Sequence, residues 1–67
     1  MSKPKLLFDG IENKHYVRAW KEGRDFAVQV WKGKKPEGEP AGDWLMPGVL
    51  GLDVCIAQAI LQTKPLS

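Results

Sequence analysis

The segment RAWKEGRDFAVQVWKGKK (residues 18–35) predicts a β-hairpin, and this hairpin decides the fold. Glu22-Gly23 is a candidate two-residue turn because glycine adopts positive φ without steric cost. The flanking residues 14–21 and 24–32 alternate as strands do, and the second run is rich in the strand formers Phe, Val and Trp. We therefore expect two antiparallel strands joined at Gly23.

Pairing across this turn assigns each side chain to one face of the sheet. With Lys21 opposite Arg24, the predicted core face holds the pairs Ala19–Phe26, Val17–Val28 and His15–Val30. The other face holds the pairs Trp20–Asp25, Arg18–Ala27, Tyr16–Gln29 and Lys14–Trp31. A slip of one residue would mix the apolar and polar sets. The register that this turn sets therefore agrees with the alternation of the two strands.

The remaining sequence completes an α+β domain. KLLF (residues 5–8) predicts a strand, and DGIEN (residues 9–13) predicts a turn. Residues 33–43 are rich in Gly and Pro and predict a mobile loop, followed by a short strand over 43–46 and a turn at Pro47-Gly48. The expected fold is a three- or four-stranded antiparallel sheet followed by one C-terminal helix packed on it.

The C-terminal helix is predicted over residues 54–62, with Asp53 as N-cap and Pro65 ending it. On a helical wheel the two glutamines occupy one narrow arc, and the rest of the surface is apolar. The apolar surface of the helix is wider than packing on one sheet requires, so we expect the spare part to form the interface of a homodimer. The predicted interface residues are Val54, Ala57, Ala59 and Leu61. The alternative is that the loop covers the spare flank.

Composition narrows the class of protein. The 67 residues predict one domain, 1–67, with a small core. Cys55 and His15 are the only residues of their types, which excludes an intrachain disulfide and makes a metal site unexpected. Neither a secretory leader nor a membrane span is predicted, so a cytoplasmic location is expected.

No motif for catalysis or for a cofactor is recognisable. Cys55 has no second histidine to activate it, and the carboxylates show no spacing typical of acid–base pairs. The glycine patterns that cradle nucleotide phosphates are missing as well. The sequence therefore predicts a protein that is not an enzyme and that needs no cofactor.

The polar face of the hairpin combines rings with cations. Residues 14–35 hold seven basic residues against two acidic ones, a net charge of +5. Cations neutralise phosphates and aromatic rings stack on bases, which favours single-stranded DNA or RNA as partner. The predicted nucleic-acid-binding residues are Lys14, Tyr16, Arg18, Trp20, Gln29, Trp31, Lys32, Lys34 and Lys35.

Two alternatives to an open nucleic-acid face remain. Residues 36–50 could fold back so that Trp44, Leu45, Met46 and Pro47 cover Trp20 and Trp31. The same Trp/Arg face could instead hold a protein partner, which would make the chain an adaptor or an inhibitor, because Trp and Arg are common hot-spot residues.

The order of segments also resembles a known family. YVRAWKEGRDFAVQVWK (16–32), PEGE (36–39) and GVLGLD (48–53) leading into one helix resemble the single-stranded-DNA-binding domain of the transcriptional coactivator family positive cofactor four, with its bacterial and phage relatives. The resemblance covers most of the chain. It implies a curved sheet that holds single strands, with Arg18, Trp20, Trp31 and Lys32 on the binding strands, and dimerisation through the helix. The order of elements also fits the N-terminal DNA-binding domains of some integrases, which insert a sheet into the major groove.

Overall fold

A computed structural model describes residues 5–63, which form a four-stranded antiparallel sheet followed by one α-helix. The elements are β1 (Lys5–Glu12), β2 (His15–Glu22), β3 (Asp25–Trp31), β4 (Gly42–Pro47), a 3-10 turn (Gly48–Leu50) and α1 (Leu52–Thr63). Strands that follow one another in the chain are neighbours in the sheet, and α1 packs mainly on β3 and β4. The predicted α+β class, with the helix on the sheet, is confirmed.

The first strand is longer than predicted. Residues 9–12 continue β1 instead of forming a turn, and an irregularity between Leu6 and Phe8 accommodates one extra residue. The turn consists of Asn13 and Lys14, both with positive φ (48° and 66°), as the tight hairpin turns that match strand twist require. Lys14 was predicted on β2 opposite Trp31, and this placement is wrong because Lys14 lies in the turn.

The β2–β3 hairpin forms with a register that differs from the prediction. Glu22 pairs with Asp25, so the two loop residues are Gly23 and Arg24. Gly23 has φ 61° at the first loop position, which is where a type II′ turn needs glycine. The pairing is displaced by two residues, and because side chains alternate with period two, every residue keeps its predicted face.

The core lies between this hairpin and the helix. Val17, Ala19, Val28 and Val30 are fully buried on the helix side of the sheet, and Phe26 packs against them. The helix contributes Cys55, Ile56, Ala59 and Ile60. Ala59 was predicted at the dimer interface, and this is wrong because it faces the chain's own sheet.

The helix begins two residues earlier than predicted. The carbonyl of Gly51 accepts the N–H of Cys55 at 3.1 Å, which makes Gly51 the N-cap residue. Asp53 therefore lies within the first turn, where a carboxylate is favourable beside the positive end of the helix dipole. The helix reaches Thr63, and the predicted stop at Pro65 lies outside the described residues.

Strand β4 is anchored to the helix at one end and to the hairpin at the other. The indole N–H of Trp44 donates to Thr63 Oγ1 at 3.2 Å, and this hydroxyl donates to the carbonyl of Ala59 at 2.7 Å. Past the other end of β4, a β-carbon at Gly48 would collide with the backbone carbonyl of Arg24. Glycine at this position therefore allows the chain to pass close to the β2–β3 turn.

Because Val28 and Gln29 lie on opposite faces of the sheet, their substitution should change the stability of the protein by different amounts. Val28→Ala should lower the free energy of unfolding by about 1–3 kcal/mol, because buried methyl groups are lost from the core. Gln29→Ala should be close to neutral, because Gln29 lies on the other face and is only half-buried. Denaturant titrations of both variants measure this, and equal losses would contradict the assigned faces.

Candidate nucleic-acid interface

The sheet face that points away from the helix is called the open face here. Tyr16, Arg18 and Trp20 of β2 lie on it, as do Gln29 and Trp31 of β3, because their neighbours in each strand form the core. The structure thus brings five of the predicted binding residues to one face. In the observed register Tyr16 pairs with Trp31, and Arg18 pairs with Gln29.

Arg18 is the centre of an aromatic and ionic cluster on this face. Its guanidinium carbon lies 5.7 Å from the ring centroid of Tyr16 and 5.8 Å from that of Trp31, distances typical of cation–π contacts. The two rings meet edge to face, with centroids 6.1 Å apart. Asp9 of β1 accepts hydrogen bonds from the Tyr16 hydroxyl and from Arg18 Nε, the latter at 3.3 Å. Asp9 therefore neutralises the one cation of the cluster.

The hydrogen bonds of Asp9 set the protonation states in the cluster. The bond from Tyr16, and then the bond and charge of Arg18, lower the pKa of Asp9 below its ordinary 3.8. The same bond raises the pKa of Tyr16 above 10.0, because the hydroxyl would lose its acceptor contact on ionising. At neutral pH the cluster therefore holds a carboxylate, a phenol and a guanidinium.

Trp31 is covered and Trp20 is only half-buried. The exposed fraction of Trp31 is 6%, and its indole N–H donates to the carbonyl of Gly38 at 3.2 Å. The cover is the segment 32–41, which we call the loop cover. Residues 36–50 were the predicted alternative cover, and the part 36–41 does lie over Trp31. Trp44 and Met46 do not cover it, because they pack on the helix side of the sheet.

Four predicted lysines gather at one end of the sheet. Lys14 ends the first turn, and Lys32, Lys34 and Lys35 follow directly after β3. The N–H of Tyr16 donates to the carbonyl of Gly33 at 3.0 Å, which ties the start of β2 to this lysine segment. We call Lys14, Lys32, Lys34 and Lys35 the lysine end.

A cleft lies within the loop cover, beside the lysine end. Its volume is about 660 Å³, and it is lined by Trp31, Lys32, Gly33, Lys34, Lys35, Glu37, Glu39 and Ala41. Three lysines thus share this cleft with two glutamates.

The open face carries more acid than the sequence suggested. Arg18 is the one basic side chain that the four described strands place on it, because Lys5 and Lys21 lie on the helix side at the far end. Four carboxylates lie on it or at its margin: Asp9, Glu22, Asp25 and Asp43. The lysines are therefore at the end of the face and not on it.

The one cysteine of the chain lies in the core. Cys55 is buried, its thiol lies 3.4 Å from the carbonyl of Pro47, and burial raises its pKa. Among residues 5–63, no three side chains of metal-binding type lie close enough together to hold an ion. Within the same range, no helix has the length and apolar character needed to cross a membrane.

Comparison of this chain with protein family models, with curated proteins and with solved structures finds no match. A function for this chain is therefore inferred from its residues and their geometry alone.

The hydroxyl of Tyr16 should control the titration of Asp9. Tyr16→Phe keeps the ring but removes the hydrogen bond, so the pKa of Asp9 should rise towards 3.8. Since the lowered folded pKa stabilises the protein above the unfolded pKa, the advantage of wild type over this variant should vanish as pH falls through the folded pKa. Carboxyl NMR titration measures the shift, and an unchanged Asp9 pKa would show that the hydroxyl makes no bond.

Proposed function

We propose that the protein is a non-catalytic nucleic-acid-binding protein that prefers single strands and holds their phosphates at the lysine end. The observation that carries this proposal is the hydrogen bond from Tyr16 to Gly33, which ties the start of β2, two residues after Lys14, to a lysine segment distant in sequence. Four cations thereby lie beside the Arg18 cluster. Such a group neutralises several phosphates at once and releases their counterions.

Single strands fit this surface better than duplexes. Reading the major groove of a duplex usually requires an exposed polar helix, and α1 instead offers core residues, glutamines and aliphatic side chains. Unstacked bases can reach the half-buried ring of Tyr16 beside the lysine end, where stacking adds about 1–3 kcal/mol per base. Trp31 becomes available to a base only when the loop cover shifts.

Lysine variants test this proposal with a matched control. Lys34→Gln with Lys35→Gln removes two charges from the lysine end, and Lys5→Gln with Lys21→Gln removes two from the opposite end. The first pair should weaken binding to fluorescent oligo-dT by roughly tenfold at low salt and reduce the slope of log affinity against log salt by about 1.4. The control pair should change both quantities little.

Fluorescence anisotropy between about 50 and 200 mM salt gives both quantities. Equal weakening by the two pairs would mean that only net charge matters and that the lysine end is not a site. Absence of binding to any single or double strand at low salt would end the nucleic-acid proposal.

We further propose that two copies associate through the helix. Val54, Ala57 and Leu61 lie within about 60° on the helical wheel, and Val54 and Leu61 are 44% and 59% exposed. Because α1 packs mainly on β3 and β4, a groove remains between α1 and β1. Its lining combines apolar residues with two carboxylates: Phe8, Ile56, Ala57, Glu12 and Asp53. The three helix side chains form an uncharged stripe, so two copies can meet there across a two-fold axis that keeps Glu12 and Asp53 at the rim of the contact.

A charge on the stripe should separate the two copies. Leu61→Lys should reduce the mass to that of a monomer, because a lysine would be buried without a partner. Gln62→Lys introduces the same charge on a different side of the helix and should leave the dimer intact. Sedimentation equilibrium at micromolar concentration measures the mass, and a monomeric wild type would refute the dimer.

A further inference from the structure

A row of apolar side chains crosses the open face at the end distant from the lysines. Leu6, Trp20, Ala27 and Leu45 come from the four strands in turn and are paired neighbours in the sheet. We call them the Trp20 band. Leu6 and Leu45 are 44% and 61% exposed, and Trp20 and Ala27 are half-buried. With strands about 4.8 Å apart, the band is about 14 Å long.

Neither the core nor the lysine end uses this band. The core lies on the other side of the sheet, and Trp20 is four residues from Tyr16, or about 13 Å along the strand. Leu45 reaches the open face because Trp44 and Met46, its neighbours in β4, turn to the helix side. The apolar surface therefore remains without a partner among residues 5–63.

Carboxylates border the band on both sides. Asp9 and Asp43 lie in the row of Arg18, and Glu22 and Asp25 lie in the row at the turn. Arg18 does not offset them fully, because its guanidinium already pairs with Asp9. Arg24 lies beyond the band in the turn itself. The immediate surroundings of the band are therefore acidic.

We propose that the Trp20 band docks a protein segment that presents apolar side chains flanked by Lys or Arg. A tryptophan at the centre of an apolar strip is a typical interface hot spot. The bordering carboxylates complement cations and repel phosphates, so a nucleic acid or an anionic membrane does not fit. A second copy does not fit either, because two bands placed face to face would bring eight carboxylates together.

This proposal gives the protein-partner alternative a defined surface and a defined ligand chemistry. It is independent of nucleic-acid binding, because the band and the lysine end lie at opposite ends of the sheet. The two functions can therefore succeed or fail separately.

Two synthetic peptides serve as probes, one of leucine and lysine and one of leucine and glutamate with the same leucine pattern. The variant Leu6→Ser with Leu45→Ser removes the exposed ends of the band. The control, Val49→Ser with Leu50→Ser, makes the same change at two exposed apolar residues outside it. Circular dichroism verifies that both variants are folded, as expected for exposed positions.

Wild type should bind the leucine–lysine peptide and not the leucine–glutamate peptide. The band variant should bind at least about tenfold more weakly, and the control should stay within about twofold of wild type. Asp25→Asn with Asp43→Asn should weaken binding and reduce its salt dependence, because two of the bordering charges are lost.

Three results would overturn the proposal. The first is no binding of the leucine–lysine peptide, or equal binding of both peptides. The second is equal loss in the band variant and its control. The third is that the band variant keeps peptide binding but loses oligo-dT binding or its oligomeric mass, which would assign the band to nucleic acid or to a second copy.

Discussion

The structure depends on the burial of one side of the β2–β3 hairpin. Val17, Val28 and Val30 are fully buried there, and the only helix among residues 5–63 supplies the other half of the core. Because side chains alternate with period two, the same constraint forces Arg18 and Trp20 to the opposite side. One helix covers one face of a sheet, so the burial that stabilises the fold also creates the open face. The Arg18 cluster and the Trp20 band both follow from this division.

The division into faces could be predicted from the sequence, whereas the pairing within them could not. Alternation is a local property, and it survives a displacement of two residues. The position of the turn is harder to predict than the faces. Glu22-Gly23 and Gly23-Arg24 both contain the glycine and differ only in which loop position the glycine occupies. Asp9-Gly10 similarly predicted a turn by composition. In the structure Asp9 and Ile11 instead lie on one face of β1, and the turn comes later, at Asn13. Turn residues thus indicate that a turn is near without fixing its position.

In the candidate site, the residues of one hairpin could be predicted from the sequence, whereas the residues that contact them from other strands could not. The rings and Arg18 were found because they lie on one hairpin and follow its alternation. Asp9 was not predicted at the site, because residues 9–13 predicted a turn whereas β1 continues to Glu12. In the structure Asp9 accepts hydrogen bonds from Tyr16 and Arg18 and sets the protonation states of the cluster. Asp43 was missed because the Gly- and Pro-rich segment before it hides the register of β4. The cover over Trp31 depends on one backbone carbonyl, that of Gly38, which composition does not reveal.

Charge segregation along the sheet follows from these contacts. Strand alternation places acids around the Trp20 band, while the lysines fall in the turns and loop beyond the other end, where no strand pairing constrains them. Lys34 and Lys35 belong to the same segment as Gly38, the residue that accepts the indole N–H of Trp31. A ligand that contacts these lysines therefore contacts the segment that covers the ring. Since the Trp31 ring already lies against Arg18 and Tyr16, displacement of that segment would expose a ring held beside a cation, a combination that favours base stacking.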